Sequence, residues 1–75
     1  MDYIDYSSTF GEKLLWWRET NGFSQSDVAD ILCCTRRTIT AWERGEKLPA
    51  YDSIIAVAKM MEVTKDYLLG MSPLS

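Results

Sequence analysis

The chain has 75 residues, a formal net charge of -3 and a pI of about 4.7. Because a chain of this length forms one small domain without room for a second domain and its ligand pocket, its function must lie on the surface or at an assembly interface. No apolar run approaches the ~18 residues of a membrane span, and signal-peptide and lipidation patterns are missing, so we expect a cytoplasmic protein.

The N-terminal part predicts an arm followed by one helix. Residues 1–8 are polar and acidic, and we expect them to form a loosely held arm. A helix should begin near Thr9, since Thr9 and Glu12 have the spacing of a capping box. It should end near Thr20, because Gly22 follows closely and favours a helix stop. The apolar stripe of this helix consists of Phe10, Leu14 and Trp17.

Residues 24–45 predict two short helices joined by a tight turn. Ser24 and Thr35 precede the two helices, and their side-chain oxygens can cap the free N–H groups of a first helical turn. Gly45 should end the second helix, because glycine adopts the left-handed conformation of a C-cap at little cost. Helices this short must pack on other helices and leave one face free. The residues expected to be buried are Val28, Ala29, Leu32, Cys34, Ile39 and Trp42.

The second helix of this pair has a cationic outward face in an acidic chain. At roughly 100° per residue, Ile39 and Trp42 define its buried side, and no acidic residue falls on the opposite side. Residues 35–48 have a net positive charge, whereas the segments before and after them are net negative. The outward-facing residues are Arg36, Arg37, Thr40, Ala41 and Arg44.

The C-terminal part predicts two further helices. After Pro49, which disfavours helical geometry in the residue before it, a helix should span residues 51–61. Thr64 can cap a last short helix through Leu69, which Gly70 closes. No segment shows the alternation of a strand, so the sequence predicts an all-α domain over residues 9–70 and a short tail over residues 71–75.

The span from Phe10 to Gly70 resembles the Cro and phage-repressor type of helix-turn-helix DNA-binding domain, often called the XRE family. The matching features are Ser24 and Gln25 at the start of the first motif helix, Ala29 at the helix contact, the buried Ile39 and Trp42, the string WERG before Pro49, and DYLLG at residues 66–70. The resemblance implies a five-helix, lambda-repressor-like domain with its helix-turn-helix at residues 25–44. In that fold the third helix enters the major groove of DNA.

The resemblance also implies roles for individual residues. The positions expected to read bases are Thr35, Arg36, Arg37, Thr40 and Ala41. The positions expected to contact phosphates are Gln25, Arg44 and Lys47. Arg18 and Glu43 match a pair that joins the first helix to the recognition helix. Since an arginine offers paired donors that match guanine O6 and N7, worth about 1–3 kcal/mol of discrimination, we expect one or two guanines in each half-site.

We expect the chain to be a transcriptional regulator that binds a specific DNA sequence and acts as a repressor. The partner is double-stranded DNA, bound by a homodimer on a near-palindromic operator with half-sites about 34 Å apart or a multiple of that. The candidate dimer residues are Leu68, Met71 and Leu74. The alternative is a helix-turn-helix protein-interaction module, such as an antitoxin or adaptor. In that case the acidic helices of the chain would bind a basic partner. The net charge of the chain favours this alternative, whereas the cationic pair Arg36 and Arg37 argues against it.

Two residues depart from the family pattern. Cys33 replaces the usual glycine of the motif turn, and a side chain held at positive φ costs about 1–2 kcal/mol, so the turn is either strained or built differently. Ala41 offers only a methyl contact, where longer polar side chains are common.

The adjacent Cys33 and Cys34 cannot link distant parts of the chain by a disulfide bond. Oxidant sensing or metal binding is an alternative that the lack of histidine and of a second cysteine pair disfavours.

Catalysis has little support in the sequence. The chain contains no histidine, no glycine-rich phosphate loop and no cluster with metal-ligand spacing. We therefore expect neither an enzyme nor a cofactor, and no metal or small-molecule substrate.

Overall fold

The computed structural model describes residues 6–70. Residues 1–5 of the predicted arm at residues 1–8, and the predicted tail at residues 71–75, lie outside this part, whereas residues 6–8 belong to a helix and not to an arm. The described part contains five α-helices and no strand, which confirms the expected all-α architecture. None of its helices has the length and apolar character needed to cross a bilayer. The helices are α1 (Tyr6–Thr20), α2 (Gln25–Ile31), α3 (Arg36–Glu43), α4 (Tyr51–Met61) and α5 (Lys65–Leu68).

Helix α1 begins three residues earlier than the capping pattern predicts. It starts at Tyr6, so Thr9 lies inside the helix and does not cap its N-terminus. No proline or glycine interrupts residues 6–10, and nothing in the local sequence therefore stops the helix from extending past Thr9. Its end agrees with the prediction, because Gly22 adopts a φ of +76° directly after the last turn.

The caps of the helix-turn-helix form as predicted. The hydroxyl of Ser24 accepts a hydrogen bond from the Asp27 N–H at 3.0 Å, and the Asp27 carboxylate accepts one from the Ser24 N–H at 2.9 Å. The hydroxyl of Thr35 accepts one from the Thr38 N–H at 3.2 Å. Gly45 follows α3 with a φ of +74°. These local interactions fix where α2 begins and where α3 begins and ends.

The turn between α2 and α3 is left-handed at Cys33. The φ of Cys33 is +58°, a conformation that glycine adopts without penalty and other L-residues adopt at a cost. The N–H of the next residue, Cys34, reaches back to the carbonyl of Ala29 at 2.9 Å. The motif therefore keeps the turn that the family builds with glycine and carries a side chain at the strained position.

All five helices contribute to one apolar core. The ring planes of Phe10 on α1 and Trp42 on α3 lie at 84° to each other in an edge-to-face contact, with 5.7 Å between the ring centroids. Leu32 and Cys34, which we expected to be buried, are partly exposed and pack against this core. The buried apolar residues are Phe10, Leu14, Val28, Ala29, Ile39, Trp42, Ile54, Val57, Ala58, Met61 and Leu68.

The expectation that Leu68 forms a dimer interface is wrong. Its side chain is 0% exposed, since α5 packs against α1 and α4 and inserts Leu68 into the core. A residue without exposed surface cannot contact a second copy of the chain. The other two candidates, Met71 and Leu74, lie outside the described residues.

Gly11 allows α1 to lie directly against α3. A Cβ atom added at Gly11 would lie 2.2 Å from the carbonyl oxygen of Trp42 and 3.0 Å from that of Glu43. Backbone carbonyls cannot turn aside as a flexible side chain can. The spacing between α1 and the C-terminal end of α3 therefore requires glycine at this position.

Candidate nucleic-acid interface

Helix α3 presents its cationic side to solvent. Arg36 and Arg37 are exposed, Thr40 is partly exposed, and Ile39 and Trp42 on the opposite side are buried. The remaining predicted base-reading residues lie on the same outward side, with Thr35 exposed at the helix start and Ala41 partly exposed. The structure thus brings the five predicted base-reading residues together on one solvent-facing surface.

The charge of this surface is not cancelled from within the helix. The one acidic residue of α3, Glu43, points inward and has 5% of its side chain exposed. Arg44 lies 3.9 Å from Glu46, but both side chains are largely exposed, and such surface pairs contribute little. Lys47 is also exposed. The predicted phosphate residues Arg44 and Lys47 therefore extend the cationic surface beyond the C-terminal end of α3.

Arg18 and Glu43 form the predicted pair between α1 and α3. Nε of Arg18 donates to Oε2 of Glu43 at 2.6 Å and Nη2 donates to Oε1 at 3.1 Å, so the contact is bidentate. The remaining Nη1 donates to the carbonyl oxygen of Phe23 at 2.9 Å. The hydrogen bond to Glu43 raises the pKa of Arg18, against the opposing effect of burial. The pair fixes the C-terminal end of α3 to α1.

Gln25 connects α2 to the outward residues of α3. Its Nε2 donates to Oε1 of Glu43 at 2.9 Å. Its Oε1 accepts hydrogen bonds from the Thr40 hydroxyl at 3.0 Å and from Nε of Arg36 at 3.4 Å. Because a carboxylate can only accept, the amide nitrogen must face Glu43, and the amide oxygen must face Thr40 and Arg36. Gln25 therefore contacts two of the predicted base-reading side chains.

The sequence prediction for Gln25 included only a phosphate contact, and that role stays a prediction. Its contacts within the protein were missed because they join residues 11 to 18 positions apart, on two helices whose crossing is not visible in the sequence. No local pattern marks them.

A groove runs beside α3 and was not foreseen either. It has a volume of about 560 Å³ and lies between α3 and the loop that leads to α4. Arg37 and Lys47 both line it, together with the apolar Ala41 and Pro49. The groove thus joins a predicted base-reading arginine to a predicted phosphate-binding lysine along one continuous surface.

The described residues contain no group of three or more histidine, cysteine, aspartate or glutamate side chains that could hold a metal ion. The two cysteines are free thiols, with Cys33 exposed and Cys34 partly buried.

The chain matches known helix-turn-helix proteins in sequence. A family model described as helix-turn-helix, HTH_3, matches residues 14–68. The chain is 37% identical over 60 residues to the uncharacterized HTH-type transcriptional regulator YqaE of Bacillus subtilis (strain 168), covering 80% of this chain and 52% of YqaE. It is 35% identical over 61 residues to the HTH-type transcriptional activator BcrR of Enterococcus faecalis, covering 81% of this chain and 30% of BcrR. The chain spans about half or less of the length of these curated relatives.

The fold matches a repressor structure. The chain superposes on the P22 c2 repressor, solved in complex with a synthetic operator, with a TM-score of 0.78 and 25% identity, over 84% of this chain and 96% of that one. The expectation that the chain is not an enzyme agrees with its relatives, which are transcription regulators. The chain belongs to the helix-turn-helix family HTH_3, in agreement with the resemblance that its sequence shows.

Proposed function

We propose that this chain recognises a specific DNA sequence by placing the outward face of α3 in the major groove, and that it acts as a repressor. The observation that carries the proposal is the exposure of Arg36 and Arg37 on a helix fixed from behind by buried Ile39 and Trp42. The likeness to a repressor solved with its operator supports it. Because BcrR is named as an activator, a reporter assay must be able to detect both a rise and a fall in expression.

Bases are read by side chains of the exposed α3 face, and phosphates are bound around it. Arginine can donate two hydrogen bonds to guanine, the hydroxyls can pair with several bases, and a methyl group can contact thymine. We assign base contacts to Thr35, Arg36, Arg37, Thr40 and Ala41. We assign phosphate contacts to Gln25, Arg44 and Lys47.

The chain acts as a homodimer on a near-palindromic operator, in the cytoplasm. One copy has a single recognition helix and can contact one half-site, whereas helix-turn-helix dimers bind two half-sites about 34 Å apart or a multiple of that. Light scattering over a range of protein concentrations, with and without residues 71–75, tests the dimer and the contribution of the tail.

Selection of binding sites from a random pool of duplex DNA tests the central proposal. We expect an enriched near-palindromic sequence with guanines in each half-site. The affinity for that sequence should fall steeply with salt, with a log–log slope of about -3 to -5 for four or five phosphate contacts. A pool from which no sequence is enriched at any salt concentration would contradict the proposal.

A protein-interaction module, such as an antitoxin or adaptor, is the second candidate. The net charge of -3 favours it, because an acidic surface suits a basic protein partner. The site-selection experiment separates the two functions, since an adaptor has no preference among DNA sequences.

A further inference from the structure

Two adjacent cysteines line one small pocket at the turn between α2 and α3. The pocket has a volume of about 160 Å³, and Trp42 and Ser53 form part of its wall. Cys33 is exposed and Cys34 is partly buried, and both are free. The DNA-binding function proposed above makes no use of either thiol.

The backbone explains why both side chains reach the same pocket. Neighbouring residues of an extended chain point to opposite sides. The left-handed φ of +58° at Cys33 breaks this alternation and turns the chain at that residue. Burial, together with the neighbouring Cys33, raises the pKa of the Cys34 thiol.

We propose that Cys33 and Cys34 form a dithiol site for trivalent arsenic compounds, which bond two sulfur atoms at once. A structural zinc ion needs four protein ligands, and the described part of the chain offers no cluster of even three at which to build such a site. A trivalent arsenic centre bonded to two sulfurs carries its own third substituent. Two adjacent thiols that line one small pocket therefore suit arsenic better than a tetrahedral metal.

The bonding step is balanced without a change of oxidation state. With phenylarsine oxide as the probe, each thiol gives up its proton and one arsenic–sulfur bond forms at each sulfur. The arsenic–oxygen double bond breaks, and the oxygen leaves with the two protons as one water molecule. The phenyl group remains on arsenic as the third substituent.

Intact-mass spectrometry of the folded chain with equimolar phenylarsine oxide tests the site. We expect one adduct per chain that survives a large excess of a monothiol and is removed by dithiothreitol, because two-point attachment resists competition by single thiols. The variants Cys33→Gly and Cys34→Ala should each lose this resistance. An adduct that a monothiol removes from the parent chain, or one that resists monothiol in either variant, would overturn the proposal.

The melting temperature tests whether the folded pocket takes part. The unfolded chain also carries both thiols next to each other, so binding raises the melting temperature only if the native turn presents them better. Phenylarsine oxide should raise the melting temperature of the parent chain and leave that of Cys33→Gly unchanged. The Cys33→Gly variant should fold well, because glycine fits the turn. A lower melting temperature of the adduct would show that the native turn opposes bridging. None of these measurements involves DNA, so their outcome is independent of the proposed function.

Discussion

The Arg18 guanidinium on α1 and the Glu43 carboxylate at the end of α3 meet in a two-point contact, with an Nε–Oε2 distance of 2.6 Å and an Nη2–Oε1 distance of 3.1 Å. Oε1 of Glu43 also accepts the hydrogen bond of Gln25, which begins α2. One carboxylate therefore joins three helices. The orientation of α3, and with it the direction of its cationic face, depends on this junction.

Replacing Arg18 with methionine should destabilise the fold strongly. It leaves the Glu43 carboxylate, 5% exposed, with Gln25 as its one remaining side-chain donor among the described residues. Removing one partner costs up to about 1 kcal/mol for an exposed pair and about 3–5 kcal/mol for a fully buried one, so we expect a loss between these limits for this part-buried pair, measured by urea unfolding. The exposed pair of Lys65 and Asp66 provides the control, since Lys65→Met should change stability by less than about 1 kcal/mol.

A second variant tests whether the loss comes from the unpaired charge. In Arg18→Met with Glu43→Leu, no carboxylate is left without its partner, and we expect most of the lost stability to return. A single Arg18→Met variant as stable as the Lys65→Met control would show that the pair does not hold α3 in place.

Gly11→Ala should destabilise the protein even though alanine is the better helix former. Alanine favours a helix interior by about 1 kcal/mol over glycine. The new Cβ, however, would lie 2.2 Å from the carbonyl oxygen of Trp42, so α1 and α3 must separate. Overpacking of this kind lowers the free energy of unfolding by about 1–3 kcal/mol. The clash here involves a backbone carbonyl, which cannot rotate away as a side chain can.

The neighbouring Glu12→Ala variant, on the exposed side of α1, should remain within about 0.5 kcal/mol of the parent protein in the same unfolding experiment. A Gly11→Ala variant with a higher unfolding midpoint than the parent would mean that the two helices do not approach this closely in solution.

Cys33→Gly should stabilise the protein by about 1 kcal/mol, because glycine removes the strain at φ +58° and its greater freedom when unfolded offsets only part of that gain. Thermal melting under reducing conditions measures the change. Gly22→Ala is the matched reverse substitution, since Gly22 has a φ of +76° and no atom within 4 Å of an added Cβ. It should destabilise by a similar amount, and a clear loss of stability in Cys33→Gly would contradict a strained turn.

Local signals predicted most helix boundaries correctly. Each of Ser24, Thr35 and Thr64 accepts the hydrogen bond expected of an N-cap, and Gly45 ends α3 in a left-handed conformation. Such interactions join residues within one turn of each other, so the sequence contains the information directly. The start of α1 is the exception, because the helix begins at Tyr6 and not near Thr9. The end of α4 at Met61 was predicted, although the left-handed residue that follows it, Glu62 with a φ of +61°, is not a glycine.

Contacts between distant residues were the ones that could not be predicted. Leu68 is apolar near the end of the described chain, and its burial depends on how α5 returns to α1 and α4. Gly11 has no special backbone angle, and its importance comes from α3 passing next to it. The family resemblance anticipated Arg18 with Glu43, but the identities of the residues alone do not show that Gln25 shares the same carboxylate.

Arg37→Ala and Lys47→Ala should affect DNA binding in different ways, although both residues line the groove beside α3. Loss of a base-reading arginine should relax the preference at one position of the half-site, at a cost of about 1–3 kcal/mol for the preferred sequence. Loss of a phosphate-binding lysine should weaken binding to all sequences alike and reduce the salt slope by about 1. Affinities for the selected site and for its single-base variants, measured at several salt concentrations, distinguish these outcomes. A uniform loss in Arg37→Ala would remove that residue from the base-reading set.

Gln25→Ala should alter sequence preference as well as affinity. The Gln25 amide oxygen accepts hydrogen bonds from Thr40 and Arg36, so the substitution removes the contact that links these two side chains to α2 and leaves the Thr40 hydroxyl, within residues 6–70, only the Arg36 carbonyl oxygen as acceptor. A residue that contacts only phosphate would lower the affinity for every sequence equally. We therefore expect the preference to weaken at the positions that Arg36→Ala and Thr40→Ala also affect.

The variant Gln25→Glu tests whether the hydrogen bond between Gln25 and Glu43 matters for the fold. The glutamate keeps the size of the side chain, but it places a second carboxylate against Glu43, which then faces an acceptor instead of a donor. We expect this variant to be less stable than Gln25→Ala in urea unfolding, since two neighbouring carboxylates repel each other. Ser26→Ala, at the exposed neighbouring position, should leave both stability and preference unchanged. If Gln25→Ala reduced the affinity for all half-site variants by one common factor, the amide would act on the DNA backbone and not through the side chains of α3.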